Sequence, residues 1–506
     1  MEFWSRHPAL FVALFSLLGA ASALVWHPLF VLFLLLFSLS YILDGQQRRI
    51  RLVWQKLHAP VFICAIGLGS LTFFSTLWRL PATQLPEERV EGEGVFHIEN
   101  VKIVQSPFQR SYCYKGILKE FHAKNGHFFF DLPCLIFHPL KNPPRADRDY
   151  RLSGTLCQKG RYDFCLKPHK GKKWQDIPGT FSFAGWRCQA KQCVAASIKK
   201  QIPSIETATF LTALITGETE ERSLRIDFSR LGLQHLLAIS GFHFSFFALA
   251  LHFLLRLFCP FKTRILLVLF ALALYFFFLG NAPSILRAFL AISLYFIAQL
   301  LRRRTNGLNV LGAALCVELL VDPLVPLQLS FQLSFLCTLA LLLYTPLLHT
   351  FFMRLLPRRT PKELQQMSLL DQHGYLGTTL LRKALSVTCA VHLFSLPLLL
   401  YLFHKFPLLS VLYNLFFPFC VTLSLALLYL GFLLAWLPPV CALVHKLNAF
   451  WTSQLLELTS HPPAYFDIVL HTPAFPYPLL LILLFLLFAG GIVAQNSVKT
   501  NKIFAL

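Results

Sequence analysis

Acidic residues are scarce in this chain: 24 Asp and Glu stand against 46 Lys and Arg over 506 residues, a formal net charge of +22. Charge of either sign is thin as well, at 14% of residues. An ordinary soluble domain carries about 25%, so that class is excluded. No GxxxxGK[ST] loop is present, which removes a built-in nucleotide-driven motor of that type. No HxHxDH cluster offers to hold a metal pair, and without a close CxxC pair a zinc site has little support. No metal and no cofactor are expected. What is abundant is apolar: 56% of residues are hydrophobic, 51 are Phe, and the mean hydropathy is +0.58. Long apolar runs between basic clusters define a polytopic α-helical membrane protein of about 10–11 spans. The positive excess has two sources, cytoplasmic loops and a polyanionic partner such as nucleic acid or anionic membrane lipid.

Four regions follow from the runs. Residues 1–78 hold the N-terminal membrane helices, with apolar stretches at 8–24 and 29–43 forming a hairpin and a third span at 60–78. Arg6, the apolar core and the small residues 20–23 also resemble a secretory signal with a cleavage site. Residues 79–204 lack long apolar runs and form an extracytoplasmic insertion. Five stretches in it (94–104, 111–121, 127–137, 148–157 and 162–167) read as strands, which suits a small β-rich, OB-like barrel. Membrane character returns over 205–437, and 438–506 is read as an amphipathic segment followed by a terminal membrane helix. A short apolar stretch at 210–215 is too short to span and suits the membrane interface. Pro418 interrupts the run at 407–437, leaving one kinked helix or a re-entrant element plus a span.

The insertion has two features of its own. Six cysteines lie in it (Cys113, Cys134, Cys157, Cys165, Cys188 and Cys193), disulfide candidates outside the cytoplasm, with Cys188–Cys193 able to close a small loop. A basic run also lies there: Lys159, Arg161, Lys167, Lys170, Lys172 and Lys173, interleaved with Tyr162, Phe164 and Trp174. Cations and exposed aromatics suit single-stranded nucleic acid, through phosphate neutralisation and base stacking. A solvated loop resting on lipid headgroups is the alternative.

Within the membrane regions the polar residues stand out, because hydrocarbon offers no water to unpaired groups. The stretch 235–243 reads HLLAISGFH and places His235, Ser240, Gly241 and His243 among Leu, Ile and Phe. Gly241 beside Ser240 permits a helix break whose freed backbone lines a cavity. Asn281, Ser284 and Arg287 follow at a helix start marked by Pro283, while Gln332 and Asn414 sit in later spans. These are channel or pore candidates. Interhelical hydrogen bonding is the competing role, above all for the Ser and Gln residues.

Several of these segments together resemble the ComEC DNA-uptake channels of bacterial competence systems. Residues 232–243, GLQHLLAISGFH, are close to that family's GLAHLLAISGLH signature. Residues 178–183 (PGTFSF), 213–218 (ALITGE), 283–288 (PSILRA) and Asp322-Pro323 followed by 331–335 (FQLSF) match further motifs in order. Pro397 and Asn414 fall in a region similar to a later membrane motif, so the resemblance covers about 20–437. It implies an inner-membrane channel for single-stranded DNA uptake during natural transformation, with no catalytic residues. A DNA receptor outside and a cytoplasmic ATPase or helicase are the implied partners. Longer members continue into a metallo-β-lactamase-like domain. None is expected here, so strand degradation falls to another protein or is dispensable. Gly-Leu-His of the signature reads Gly-Phe-His at 241–243, with Phe244 and Phe246 following, and such bulk is expected to narrow the path. Two readings from other classes stay open: an intramembrane hydrolase using Ser240 with His235 or His243 as base, and a lipid or small-solute transporter.

Overall fold

The computed structural model describes residues 3–46, 51–80, 89–105, 110–139, 143–158, 164–169, 171–219, 221–463 and 468–503. In chain order, α1 (Phe3–Arg6), α2 (Pro8–Leu24), α3 (Pro28–Gln46) and α4 (Arg51–Arg79) precede six strands. These are β1 (Arg89–Gln105), β2 (Arg110–Ala123), β3 (Phe128–Pro139), β4 (Tyr150–Gln158), β5 (Phe164–Pro168) and the two-residue β6 (Gln175–Asp176). Next come α5 (Ala184–Gln201), α6 (Ile205–Thr216), α7 (Arg222–Arg230), α8 (Gln234–Leu237), α9 (Gly241–Leu255), α10 (Phe261–Leu279), α11 (Pro283–Leu300) and α12 (Gly307–Val321). The chain ends with α13 (Leu329–Leu355), α14 (Pro361–Gln366), α15 (Leu369–Phe403), β7 (Lys405–Pro407), α16 (Ser410–Leu433), α17 (Pro438–Ser460), β8 (Val469–His471) and α18 (Tyr477–Ile503).

Seven described helices are long and apolar enough to cross a membrane: α4 from Ala59 onward, α10, α11, α13, α15, α16 and α18 to Gln495. Rings such as Phe74 and Phe270, about two-thirds exposed, are the surface such helices offer to hydrocarbon. Eleven spans require all four of the shorter apolar helices α2, α3, α9 and α12 to cross as well, and ten require three of them. Helix α16 runs unbroken through Pro418, so the run at 407–437 holds one helix rather than a re-entrant element and a span.

Two compact units organise the chain. The first comprises 1–74, 303–418 and 463–506. Within it α2 packs closely on α4: a methyl group at Gly19 would lie 2.2 Å from the carbonyl oxygen of Gly69, an approach only glycine permits. Thr72 Oγ1 donates to Ser16 O across the same contact at 2.8 Å. The second unit comprises 75–302 and 419–462.

The barrel belongs to the second unit. Its sheet runs β1-β2-β3-β5-β4, and β1 also pairs with β4, so the five main strands close on themselves. All pairings are antiparallel except β3–β5. A closed five-stranded Greek-key barrel of this order is the OB-type architecture. Register shifts at Val95/Phe96 and Ile98/Asn100 bend the 17-residue β1 so that it serves two neighbours. Alternate residues fill the interior, among them Phe96, Ile98, Leu118, Phe121, Leu132, Ile136, Leu156 and Leu166.

The insertion is not entirely β. Residues 184–201 form α5, which lies against β1. The spacing of Ala184, Cys188, Lys191, Ile198 and Ile202 carries the helical period that marks it. Residues 207–214 of α6 are all buried, so this helix, too short to span, is enclosed by protein.

Candidate functional site

The HLLAISGFH stretch is folded around a break. Helix α8 stops at Leu237, Ala238 and Ser240 take extended backbone (φ −84°, ψ 135° and φ −133°, ψ 177°), and α9 begins at Gly241. Ser240 is the N-cap of α9: its backbone N–H donates to Nδ1 of His243 at 3.3 Å. Ser284 Oγ donates to the freed carbonyl of Ile239 at 3.2 Å, tying the break to the start of α11. Ile239 itself is clamped from α6. Gly217 ends that helix in the left-handed conformation (φ 71°), and a methyl group there would come within 2.7 Å of Ile239 Cγ1. Arg287, one turn into α11 and 9% exposed, brings Nη2 to 3.8 Å from where a Gly241 side chain would begin. His243 is 1% exposed, and its Nε2 has no hydrogen-bond partner among the described residues.

Above this break lies a cavity of about 180 Å³. Lys102, Ile103 and Val104 of β1 form one wall, Gly217, Glu218 and Thr219 another, and Arg225, Gln234, Leu237 and Ala238 the rest. Arg225 Nη2 donates to Thr219 O at 3.0 Å, and among the described residues its Nε has no partner. Among the described residues Glu218 is the one carboxylate in the wall, and Lys191 of α5 meets it at 2.8 Å while also donating to Leu279 O at 3.2 Å. With Glu218 paired, Lys102 and Arg225 make the described lining positive. A larger hollow of about 510 Å³ places Arg110 and Arg222 against Glu206 and Glu221, so its charges balance and it offers an anion little.

The PGTFSF segment acts as the barrel's staple. Thr180 Oγ1 accepts from Asp149 N at 3.0 Å, Ser182 N donates to Asp147 O at 2.7 Å, and Ser182 Oγ donates to Ile98 O. Phe183 then packs edge-on against Phe277 of α10 (centroids 4.7 Å apart), and Arg187 donates to Glu99 O at 2.8 Å while its guanidinium lies over the Phe277 ring. These contacts join barrel to helices inside the unit. The Asp149 carboxylate, 2% exposed, is held by His97 at 2.6 Å and Lys119 at 2.8 Å. Burial pushes its pKa up, but the hydrogen bonds from Lys119 and His97 outweigh that and leave it below the ordinary value.

The sequence candidates sort as follows. Ser240, Gly241, His243, Ser284 and Arg287 converge on the break but stand behind the cavity wall rather than in it. His235 is exposed on α8 and Asn281 is exposed just before α11. Gln332 and Asn414 belong to the first unit, where each bonds local backbone: Gln332 Nε2 to Pro326 O, Asn414 Nδ2 to Ser410 O. Phe244 is fully buried against Tyr275 and does not line the cavity. Lys159, Arg161, Tyr162 and Lys170 lie outside the described residues. Lys167, Lys172 and Lys173 are exposed, with Lys172 Nζ 3.5 Å from Glu93. Of the interleaved aromatics, Phe164 is 1% exposed inside the barrel and Trp174 is half-buried against Tyr114 and Tyr150, while Tyr162 lies outside the described residues. All six insertion cysteines are free thiols. Cys188 and Cys193 cannot close a loop, because five residues along one continuous helix they sit about 140° apart around its axis. Cys157 and Cys165 stand directly opposite each other on β4 and β5. The Cys134 thiol is pushed up to about 12 by burial, with Cys165 adding to it. Among the described residues no three His, Cys, Asp or Glu side chains are grouped to hold a metal ion.

Sequence reading missed Lys102, Lys191 and Arg225. Lys102 sits among strand residues with nothing to mark it, whereas the helical spacing of α5 would have placed Lys191 on a buried face.

An OB-type barrel closed onto a bundle of apolar helices, with a capped helix break under a basic cavity, defines a multi-pass membrane protein of the bacterial inner membrane. A family model described as Competence protein matches residues 214–496, more than half of the chain. The chain belongs to that family. It is similar to ComE operon protein 3 of Bacillus subtilis (strain 168), at 30% identity over 199 residues. That match spans 38% of this chain and 22% of the relative's length. No solved structure matches.

Proposed function

We propose that this chain conducts single-stranded DNA across the inner membrane during natural transformation. The barrel receives the strand outside, and the segment around the break admits it to the bundle. The observation that carries this reading is the positive cavity between β1 and the helix break, in a member of the competence family. Lys102 and Arg225 attract phosphate there, and the paired Glu218 does not oppose them. At about 180 Å³ the cavity admits a phosphate and a few waters but is smaller than the usual pocket for a drug-sized ligand, so passage requires the break to widen. Ser240, His243 and Ser284 are positioning residues that set where the break falls. Capture outside by a DNA receptor and pulling by a cytoplasmic ATPase or helicase complete the scheme.

The approach of Ser240 Oγ to His243 Nδ1, 3.4 Å, favours a second reading as a hydrolase dyad. The same Nδ1 already accepts from the Ser240 backbone N–H, which is the helix-capping arrangement and occupies the lone pair a base needs. The test is delivery of labelled DNA to the cytoplasm in cells carrying wild-type chain, a deletion, or Ser240→Ala. A conduit predicts surface-bound DNA with none delivered in the deletion, and no more than a severalfold loss in Ser240→Ala. Unchanged delivery in the deletion sinks the transport reading. Complete loss in a folded Ser240→Ala chain moves the hydrolase ahead.

A further inference from the structure

Helices α13 and α15 pack along each other and carry an unbalanced set of cations at one end. Between residues 354 and 383 stand six Lys and Arg against two carboxylates. Both carboxylates serve helix caps: Glu363 Oε2 accepts from Thr360 N at 2.9 Å, and Asp371 Oδ2 accepts from Ser368 Oγ at 2.7 Å. The ion pairs among the described residues involve none of the six cations. The connecting loop gathers these charges. Arg382, 3% exposed, donates from Nη1 to Leu356 O at 2.7 Å, and Arg359 N donates to Tyr375 Oη at 3.1 Å. Those two bonds hold residues 356–359 against α15, so Arg358, Lys383 and Arg382 all bear on the His349 imidazole of α13. Arg358 and Lys383 are exposed, and among the described residues His349 Nδ1 and Arg382 Nε have no hydrogen-bond partner.

Two counts along the chain set the depth of this cluster. Residues 384–403 hold no Asp, Glu, Lys or Arg and number 20, about the length that crosses hydrocarbon, so Lys383 stands at the edge of that layer. About 20 residues from the start of α13 at Leu329 reach position 348, so His349 falls at the same level on the neighbouring helix. Exposed Phe351 and Leu355 on α13, and Leu380 and Leu381 on α15, adjoin the cations. A positive cluster beside exposed apolar side chains at the hydrocarbon edge suits a molecule with an anionic head and apolar tails. A free phosphate would use only the first of those two features. We propose that Arg358, Lys383 and His349 form a site for the phosphate diester of an anionic phospholipid, its acyl chains laid against α13 and α15. Arg382 is a positioning residue that fixes the loop and adds charge behind the site. A lipid held there ties the α13–α15 pair to the headgroup layer. Nothing in this site requires that the chain transport DNA.

The test is native mass spectrometry of the full chain in detergent, titrated with dioleoylphosphatidylglycerol. Wild type is expected to retain one such lipid about tenfold more tightly than dioleoylphosphatidylcholine, whose headgroup carries a balancing cation. Arg358→Gln/Lys383→Gln is expected to lose that preference, and Arg358→Lys/Lys383→Arg to keep it. Both side chains are exposed, so neither pair disturbs the packing. Arg303→Gln/Arg304→Gln, exposed in another basic loop, is expected to bind as wild type does. Equal retention of the two lipids by wild type, or equal weakening by the two glutamine pairs, refutes a built site. Displacement of the lipid by inorganic phosphate assigns the cluster to the free ion, and displacement by dT20 assigns it to nucleic acid. Either displacement overturns the lipid proposal.

Discussion

Replacing Lys191 by methionine tests how the barrel's helix is locked to the rest of its unit. The side chain is 4% exposed, and its ammonium joins three elements: α5 that bears it, Glu218 beyond α6 at 2.8 Å, and the last carbonyl of α10 at 3.2 Å. Methionine keeps most of the volume and removes the charge. Breaking a fully enclosed ion pair costs roughly 3–5 kcal/mol, chiefly because the surviving charge is stranded. The Glu218 side chain keeps 23% of its exposure, so solvent screens part of that cost and about 2–3 kcal/mol is expected. For a unit of this size that lowers the melting temperature by roughly 5–10 °C. The assay is a thermal melt of the detergent-solubilised chain followed by size-exclusion fluorescence, on Lys191→Met, Glu218→Gln and the double variant. Neutralising Glu218 in the Lys191→Met background is expected to recover more than half the loss, because no charge is then left unpaired. The reasoning fails if Lys191→Met melts within a degree of wild type, or if the double variant melts as low as the single. A consequence for transport follows: Lys191→Met leaves a bare carboxylate in the cavity wall, so DNA delivery is expected to fall further than the amount of folded protein does.

Gly217→Ala forces a side chain into left-handed backbone and to within 2.7 Å of Ile239, costing about 1–2 kcal/mol for the backbone alone. DNA delivery is expected to drop at normal surface abundance, and a fully active, wild-type-stable variant would show that the clamp on the break is dispensable. Asp149, held below the ordinary carboxylate value, contributes stability that is present above the unfolded value near about 3.9 and lost as pH falls through the lower folded value. The melting advantage of wild type over Asp149→Asn is therefore expected to be constant above about pH 5 and to shrink below about pH 4. A difference independent of pH across that window would refute the role given to the Lys119 and His97 bonds.

The cavity also changes what the signature residues mean. Ser240 caps a helix, Ser284 satisfies the carbonyl that the break exposes, and Gly217 makes room for Ile239. In an apolar surround each such bond saves the cost of an unpaired backbone group, a sufficient physical reason for polar residues in that stretch. In the proposed scheme the attraction of phosphate falls instead to side chains brought in by other elements, Lys102 from β1 and Arg225 from α7.

Composition alone determined the class of this protein, because long runs of Leu, Ile and Phe have one solvent that suits them. Period-two alternation likewise placed most of the barrel's strands, and the order of motifs around His235–His243 pointed to the family. Local pattern also sufficed for the helix break, since Ser before Gly offers both a cap and a stop. Tertiary structure decided the rest. Whether β1 would turn back to pair with β4 depends on register between strands some sixty residues apart. That Phe164 faces the interior while Phe128 and Phe130 face outward depends on the phase of each strand against its neighbours, and one bulge reverses it. The Lys191–Glu218 pair and the positive cavity beside it exist only because three separate segments meet there. Such meetings leave no periodic trace in a chain, so no reading of single residues could have placed them.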